Sequence, residues 1–243
     1  MIYVSLTIIP ERVKNLSKTV NSLLSQKKEP DKIFINIPKK YQRFNEIIED
    51  NQIPQFNSEK VEVVRCEDCG PGTKILGSID KLEKDSMVIL VDDDNIYEDY
   101  MIEKFFYFFK KAPNNAYSFY VHPLGNFGVG QGADGFAINT NYLEGIYDFY
   151  NKVVKNYKEL FLHDDLWISY FLYFIKKNKI LSLQEHLKNN NNVKPPLIYK
   201  SHIDSPGLIS NYGTNLNEAV VKRDKIALKS LKYMIDKTRN LTF

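Results

Sequence analysis

Ser86-Met87-Val88-Ile89-Leu90-Val91-Asp92-Asp93-Asp94-Asn95 is an apolar run that stops abruptly in three carboxylates. An unbroken stretch of Met, Val, Ile and Leu, too short for a typical helix and closed by turn-forming residues, predicts a strand buried on both faces of a sheet. The acids then sit at its carboxyl end, where open α/β sheets place their ligands. Adjacent carboxylates repel unless a cation, a hydrogen-bond donor or free solvation relieves them. Mg²⁺ or Mn²⁺ suits this role, because such ions take one or two carboxylates together with phosphate oxygens. The plainer alternative is an acidic turn capping the next helix.

Upstream, residues 2–9 (IYVSLTII) read as a first core strand stopped by Pro10, and Asn15 to Gln26 as an amphipathic helix. Lys32 to Pro38 and Val61 to Arg65 supply two further strands, with a short helix expected near Phe44 to Ile48. Alternation of strand and helix argues for a largely parallel sheet with right-handed crossovers. Glu67 to Gly77 (EDCGPGTKILG) passes from strand through a Gly-Pro turn into a helix carrying Lys74. Its glycines and free helical N–H groups would suit a phosphate, although the P-loop spacing is absent and an ordinary Gly-Pro turn before a helix is the better explanation of the glycines alone.

Downstream, Tyr97 to Lys111 places Tyr97, Met101, Phe105 and Phe108 on one helical stripe, and Ala116 to Val121 returns as a strand. Gly130, Gly132 and Gly135 fit G-x-G-x-x-G, yet Phe136-Ala137-Ile138 follows where a dinucleotide site needs a helix, so that reading is rejected. A loop bordering a substrate site, or a plain surface loop, suits the glycines better. Leu143 to Leu160 reads as a helix, and Leu166 to Lys177 as a buried one with Asp164 and Asp165 at its amino end. One such acid is explained by capping; a second could act as a general base. Residues 182–197 read as a linker or loop, Ser201 to Gly207 as a polar loop holding His202, and Asn215 to Arg239 as an amphipathic helix with a basic outer side. That side reads as a solvated face, with weak attraction to an anionic membrane surface as the alternative.

Composition bounds these readings. The 243 residues, 43% of them hydrophobic, suffice for a sizeable α/β core without disulfides. With 33 basic against 30 acidic side chains, the net charge of +3 is too small to indicate nucleic-acid binding through the overall field. Cys66 and Cys69 form a lone C-x-x-C, half of a zinc site, and read as free thiols. The amino terminus has no secretory pattern and no apolar run reaches spanning length, so a cytoplasmic location is expected.

Four segments in order, Ser5-Leu6-Thr7-Ile8-Ile9-Pro10-Glu11-Arg12, Glu67 to Lys74, Val91-Asp92-Asp93-Asp94 and Asp164 to Ser169, together resemble the GT-A glycosyltransferases of the family 2 type, nucleotide-sugar enzymes with a D-x-D motif. The resemblance covers roughly the first 175 residues. It implies one GT-A, Rossmann-like domain over 1–243, with a mostly parallel central sheet flanked by helices. Residues 1–115 would form the nucleotide-binding half, 116–210 the acceptor half and 211–243 a C-terminal helical extension. By the same resemblance, Thr7, Pro10 and Arg12 line the nucleobase pocket, Asp68 and Lys74 face the nucleotide or donor sugar, and Asp92 and Asp93 belong to the donor site. Asp94 and Asp92 would hold Mn²⁺ or Mg²⁺, with His202 as a further ligand by fold analogy. Asp165, or Asp164 if the register slips, would be the base of an inverting transfer from a nucleotide-sugar, with UDP favoured, to a glycan or other hydroxyl acceptor. Two alternatives stand beside this: a non-catalytic glycan- or nucleotide-binding module, and a sugar-phosphate nucleotidyltransferase, which needs a Gly-rich basic loop after the first strand.

Overall fold

The structure is a computed structural model that describes residues 1–188, 197–200 and 216–243. The first strand, β1 (Ile2–Thr7), leads through a 3₁₀ turn at Pro10–Asn15 into α1 (Leu16–Leu24). Strands β2 (Lys32–Pro38) and β3 (Val61–Cys66) follow, then the short helix α2 (Thr73–Leu76) and β4 (Met87–Leu90). After β5 (Ile96–Tyr97) and α3 (Met101–Lys111) come β6 (Asn115–Ser118), the hairpin β7 (Val121–Leu124) and β8 (Phe127–Gly130), and β9 (Phe136–Asn139). Helices α4 (Ile146–Phe149), α5 (Lys158–Phe161) and α6 (Asp164–Tyr170) precede β10 (Lys179–Ser182) and α7 (Leu183–Lys188). Strand β11 (Ile198–Lys200) and the long helix α8 (Leu216–Thr238) complete the described chain.

Among the described residues, seven strands form the main sheet in the order β10-β6-β9-β4-β1-β2-β3. Neighbours pair in parallel except around β9, which runs antiparallel to both β4 and β6. The expected α/β architecture, a largely parallel Rossmann-like sheet flanked by helices with a C-terminal helix, is therefore observed. Parallel pairing also puts the carboxyl ends of β1, β2, β3 and β4 on one edge, while the reversed β9 enters from that same edge.

Alternation along β1 sends Val4 and Leu6 to one face, where α1 and α3 contribute Leu16, Val20, Leu23 and Phe105. Tyr3 belongs to the opposite cluster, which contains Phe149, Trp167 and Phe171. The Met87–Leu90 strand is buried throughout, as an apolar run covered on both faces must be.

Several local expectations are corrected. No helix forms at Phe44 to Ile48; the nearby 3₁₀ turn lies at Asp50–Gln52. The segment is held by anchors instead: Tyr41 packs edge-on against Phe44, and its hydroxyl donates to the Ile8 carbonyl at 2.8 Å. Tyr97 is not on the α3 stripe, because Ile96–Tyr97 pairs with β11, and the buried face of α3 is Met101, Ile102, Phe105 and Phe109. The helix expected from Leu143 to Leu160 widens to π geometry at Tyr150–Val154 and breaks before α5. The helix after Leu166 likewise ends in a π turn at Phe171–Ile175. The Gly-rich stretch is mostly the β7–β8 hairpin and the entry to β9, and part of the expected linker forms β10 and α7.

Gly72 ties α2 to α6 by close approach, since a Cβ there would stand 2.5 Å from Trp167 Cζ2. The Gly72→Ala variant is expected to lose about 1–3 kcal/mol of stability through overpacking, read as a lower urea midpoint at an unchanged slope.

Candidate functional site

The edge where β1 to β4 end opens into a cavity of about 510 Å³, within the size range of small-molecule sites. Thr7, Arg12, Asp68, Lys74, Asp92, Asp93, Asp164 and Asp165 all border it, so eight sequence-predicted residues from four separate segments meet in one place. Pro10 instead opens the 3₁₀ turn that carries Arg12 to the rim, and Asp94 lies just behind the wall, 5% exposed. His202 lies outside the described residues.

At the centre is Lys74. Its Nζ lies 2.5 Å from Asp92 Oδ1 and 3.0 Å from Asp164 Oδ2, and the residue is only 4% exposed. Burial works against the ammonium, but Asp164, Asp92 and Asp165 outweigh it and hold Lys74 protonated well above the ordinary lysine range. The backbone of Lys74 is fixed as tightly as its side chain. The Ser5 hydroxyl donates to the Lys74 carbonyl at 2.5 Å, and Asn36 Nδ2 donates to Ser5 Oγ, to the Leu6 carbonyl and to the Lys74 carbonyl. Two polar residues buried in otherwise apolar strands thus pin α2 to the sheet.

Arg12 neutralises the other acids. Its Nη1 lies 2.7 Å from Asp93 Oδ1 and 3.2 Å from Asp94 Oδ2. Burial nevertheless pushes the Asp93 carboxyl up to about 6, with Arg12 opposing the shift and Asp94 adding to it. The turn bearing the acids is shaped by Thr19, whose hydroxyl donates to the carbonyls of Asp93 and Asn95, and by Tyr97. The Tyr97 hydroxyl accepts from the Asp92 N–H at 3.0 Å and donates to the Ala133 carbonyl at 3.0 Å.

Asp164 and Asp165 occupy the first turn of α6, but the cap position falls to His163 and neither acid caps. Asp165 Oδ1 instead accepts the Gly132 N–H at 3.0 Å. Burial first, and then the Asp164 charge, push the Asp165 carboxyl well above the usual range, while Lys74 and the Gly132 N–H pull against them. Gly132 packs closely over this group: a Cβ there would stand 3.0 Å from Lys74 Nζ and 3.4 Å from Asp165 Oδ1. Asp68 accepts from the Gly70 N–H of its own loop at 2.8 Å and from the Gln42 N–H of the segment after β2 at 2.6 Å.

Ser5, Asn36, Thr19, Tyr97 and Gly132 were not singled out as site residues from the sequence. A signal existed for the first two, since Ser5 and Asn36 interrupt strands that are otherwise apolar.

The donor set suits a hard dication. Of the expected ligands, Asp92 brings a carboxylate to the cavity and Asp94 lies 3.2 Å from Arg12; neighbouring Asp93 also borders the cavity, its Oδ2 buried with no hydrogen-bond partner among the described residues. Around Lys74 one ammonium faces the carboxyl groups of Asp92, Asp164 and Asp165. Among the described residues no three His, Cys, Asp or Glu side chains form a closed metal cluster. A dication here would be held in the open manner, with ligand oxygens needed to complete its shell. The cysteines belong to different chemistry: both are free, and burial pushes Cys66 up to about 12 and Cys69 up to about 11, so they are protonated at neutral pH.

The family model for glycosyl transferase family 2 matches residues 8–176, well over half of the sequence. The chain belongs to glycosyl transferase family 2. The matched region takes in the cavity's contributing segments from Ile8 through α6. Comparison with curated proteins gives no match. Solved structures similar to this family 2 chain include 4-diphosphocytidyl-2C-methyl-D-erythritol synthase from Anaerococcus prevotii, at 13% identity and TM-score 0.51 over 93% of this chain and 98% of that one. A second is S. aureus TarS 1–349 in complex with UDP-GlcNAc, at 13% identity and TM-score 0.50 over 99% and 74% of the two chains. In the UDP complex of the same TarS fragment, the match spans 76% of this chain and 58% of the other, at 14% identity and TM-score 0.48. At these identities the likeness is one of fold. No helix among the described residues is long and apolar enough to cross a membrane.

Replacing Lys74 by Met strands buried acids without their cation and is expected to cost about 3–5 kcal/mol. The exposed pair Lys27–Asp99 gives the contrast, with Lys27→Met changing stability by about 0–1 kcal/mol. Chemical denaturation of both variants measures the difference.

Proposed function

We propose that this family 2 chain is a nucleotide-sugar glycosyltransferase that moves a hexosyl or deoxyhexosyl group from a UDP-linked donor to a hydroxyl of a glycan or glycoconjugate, with inversion. The observation that carries the reading is the convergence of Arg12, Asp68, Lys74, Asp92 and Asp165 on one cavity at the carboxyl edge of the sheet. The whole described chain serves that site as one GT-A domain, residues 1–115 holding the nucleotide and residues 116–210 the acceptor side.

In this reading Thr7, Pro10 and Arg12 bound the base pocket, Asp68 and Lys74 face the nucleotide or donor sugar, and Asp92 and Asp93 border the donor. Asp92 and Asp94, joined by His202 in the fuller set, would hold Mn²⁺ or Mg²⁺, which supplies positive charge against the diphosphate as it leaves. Lys74 adds a fixed ammonium at the same side of the cavity. Asp165 takes the proton of the acceptor hydroxyl, whose oxygen bonds to the anomeric carbon as the bond from that carbon to the diphosphate breaks. The diphosphate departs with the electron pair. The raised Asp165 pKa supports this role, because a base is most effective when its pKa approaches the working pH. The connection after β1 speaks against nucleotidyl transfer: it is a 3₁₀ turn at Pro10–Asn15 rather than a Gly-rich basic loop.

Incubation with a panel of UDP-sugars and Mn²⁺, with released UDP as the readout, tests the proposal. Asp165→Asn is expected to lower transfer by roughly 10²–10⁴-fold while UDP affinity, measured by calorimetry, is kept. Activity of the unaltered protein should fall as pH drops through the displaced Asp165 pKa, above the ordinary carboxylate value of about 4, and the variant should lose that acid limb. Full transfer by Asp165→Asn would remove the base from Asp165.

A further inference from the structure

The Asp164–Asp165 pair is a wall shared by two cavities. Beyond the large one lies a second space of about 130 Å³, bordered by Asp164 and Asp165 on one side and by His122, Gln131, His163, Arg223 and Asp224 around the rest. Its far side comes from α8, which lies outside residues 8–176 and so outside the part of the chain that the family match covers.

We infer that this second cavity receives the acceptor and that it selects an uncharged, hydroxyl-rich sugar. The inference rests on the glycosyltransferase reading above and deepens it.

Position supplies the first argument. Transfer needs the acceptor oxygen within reach of both the base and the donor's anomeric carbon, and Asp165 borders both spaces, so a sugar seated in the second can offer a hydroxyl where the two adjoin. Size supplies the second: at ~30 Å³ per water the space holds about four waters, enough for part of one sugar ring and too little for a folded glycan.

Charge decides the class. Arg223 is already committed, with Nε 3.0 Å and Nη2 2.9 Å from Asp224 Oδ1, so the pair brings no net positive charge to the cavity. His122 Nε2 joins the same group, 3.3 Å from Arg223 Nη2 and 3.2 Å from Asp224 Oδ1. Burial lowers the His163 pKa, which keeps that imidazole neutral near pH 7. A phosphate or uronate here would face Asp164 and Asp165, and the Arg223–Asp224 pair opposite, having no net charge, would not offset them. An uncharged sugar avoids that repulsion: its hydroxyls can donate to Asp224 and accept from Arg223 and Gln131, and its C–H face can lie on the apolar wall of Val129 and Leu166.

The test uses the full chain and the UDP-sugar selected by the donor panel. Acceptor probes are p-nitrophenyl glycosides of neutral hexoses, set against p-nitrophenyl glucuronide and hexose 6-phosphates. Neutral glycosides are expected to accelerate UDP release, and Arg223→Ala and Asp224→Asn to raise the KM for them by at least about tenfold. UDP affinity, read separately by calorimetry, should stay within about twofold in both variants if they are folded. Acceleration by the anionic probes alone, no acceleration by any neutral glycoside while UDP still binds, or an unchanged KM in both variants would each overturn the inference. Failure of UDP itself to bind would count against the glycosyltransferase reading instead, so the two are separable.

Discussion

The buried ammonium of Lys74 is the constraint on which the site depends. Taking an ion out of water costs several kcal/mol even after relaxation, so such a group persists only where counter-charges and a rigid frame offset the loss. Both are present. Asp92 comes from the turn after β4, Asp164 comes from α6, and Ser5 with Asn36 locks the Lys74 backbone to β1 and β2. Through this one residue β1, β2, the turn after β4 and α6 are held together, two by hydrogen bonds to its carbonyl and two by its charge. The small neighbours follow from it: Gly72 lets α2 approach Trp167, and Gly132 leaves room above the ammonium for Asp92 and Asp165.

The reversed strand β9 explains how the second half of the chain reaches this point. In an all-parallel sheet the segment preceding a central strand would lie at the opposite edge. Because β9 pairs antiparallel with β4, its entry, Gly132 to Gly135, lies beside the acidic turn. There the Gly132 N–H binds Asp165, and the Ala133 carbonyl accepts from both Tyr97 and Asn95. The glycines thus act in the sheet edge and its turn rather than in a dinucleotide loop.

Much of this was legible in the sequence, for identifiable reasons. Strands β1, β2 and β4 announce themselves because they are covered on both faces, which demands apolar runs of little ambiguity. The acidic turn and the Asp164-Asp165 pair are visible because clustered carboxylates are costly without a reason. What escaped the sequence is what depends on tertiary partners. The segment around Phe44 has apolar residues enough for a short helix, yet it is fixed by Tyr41 reaching Ile8, a contact 33 positions away. Tyr97 sits at a helical interval from Met101, but a strand partner about a hundred residues later claims it. The roles of Ser5 and Asn36 are local anomalies whose meaning appears only once Lys74 is seen beside them.

The same geometry separates two acids that the sequence leaves equivalent. Asp164 and Asp165 are adjacent on one helix turn, so composition alone cannot tell them apart. Lys74 Nζ lies 3.0 Å from Asp164 Oδ2, so Asp164 faces a buried ammonium. Asp165 receives a neutral backbone N–H instead and stands beside the Asp164 charge, so its own proton is held more firmly. Two adjacent carboxyl groups thus stand in different surroundings, one against an ammonium and the other against a backbone N–H. The position of Lys74 sets that difference.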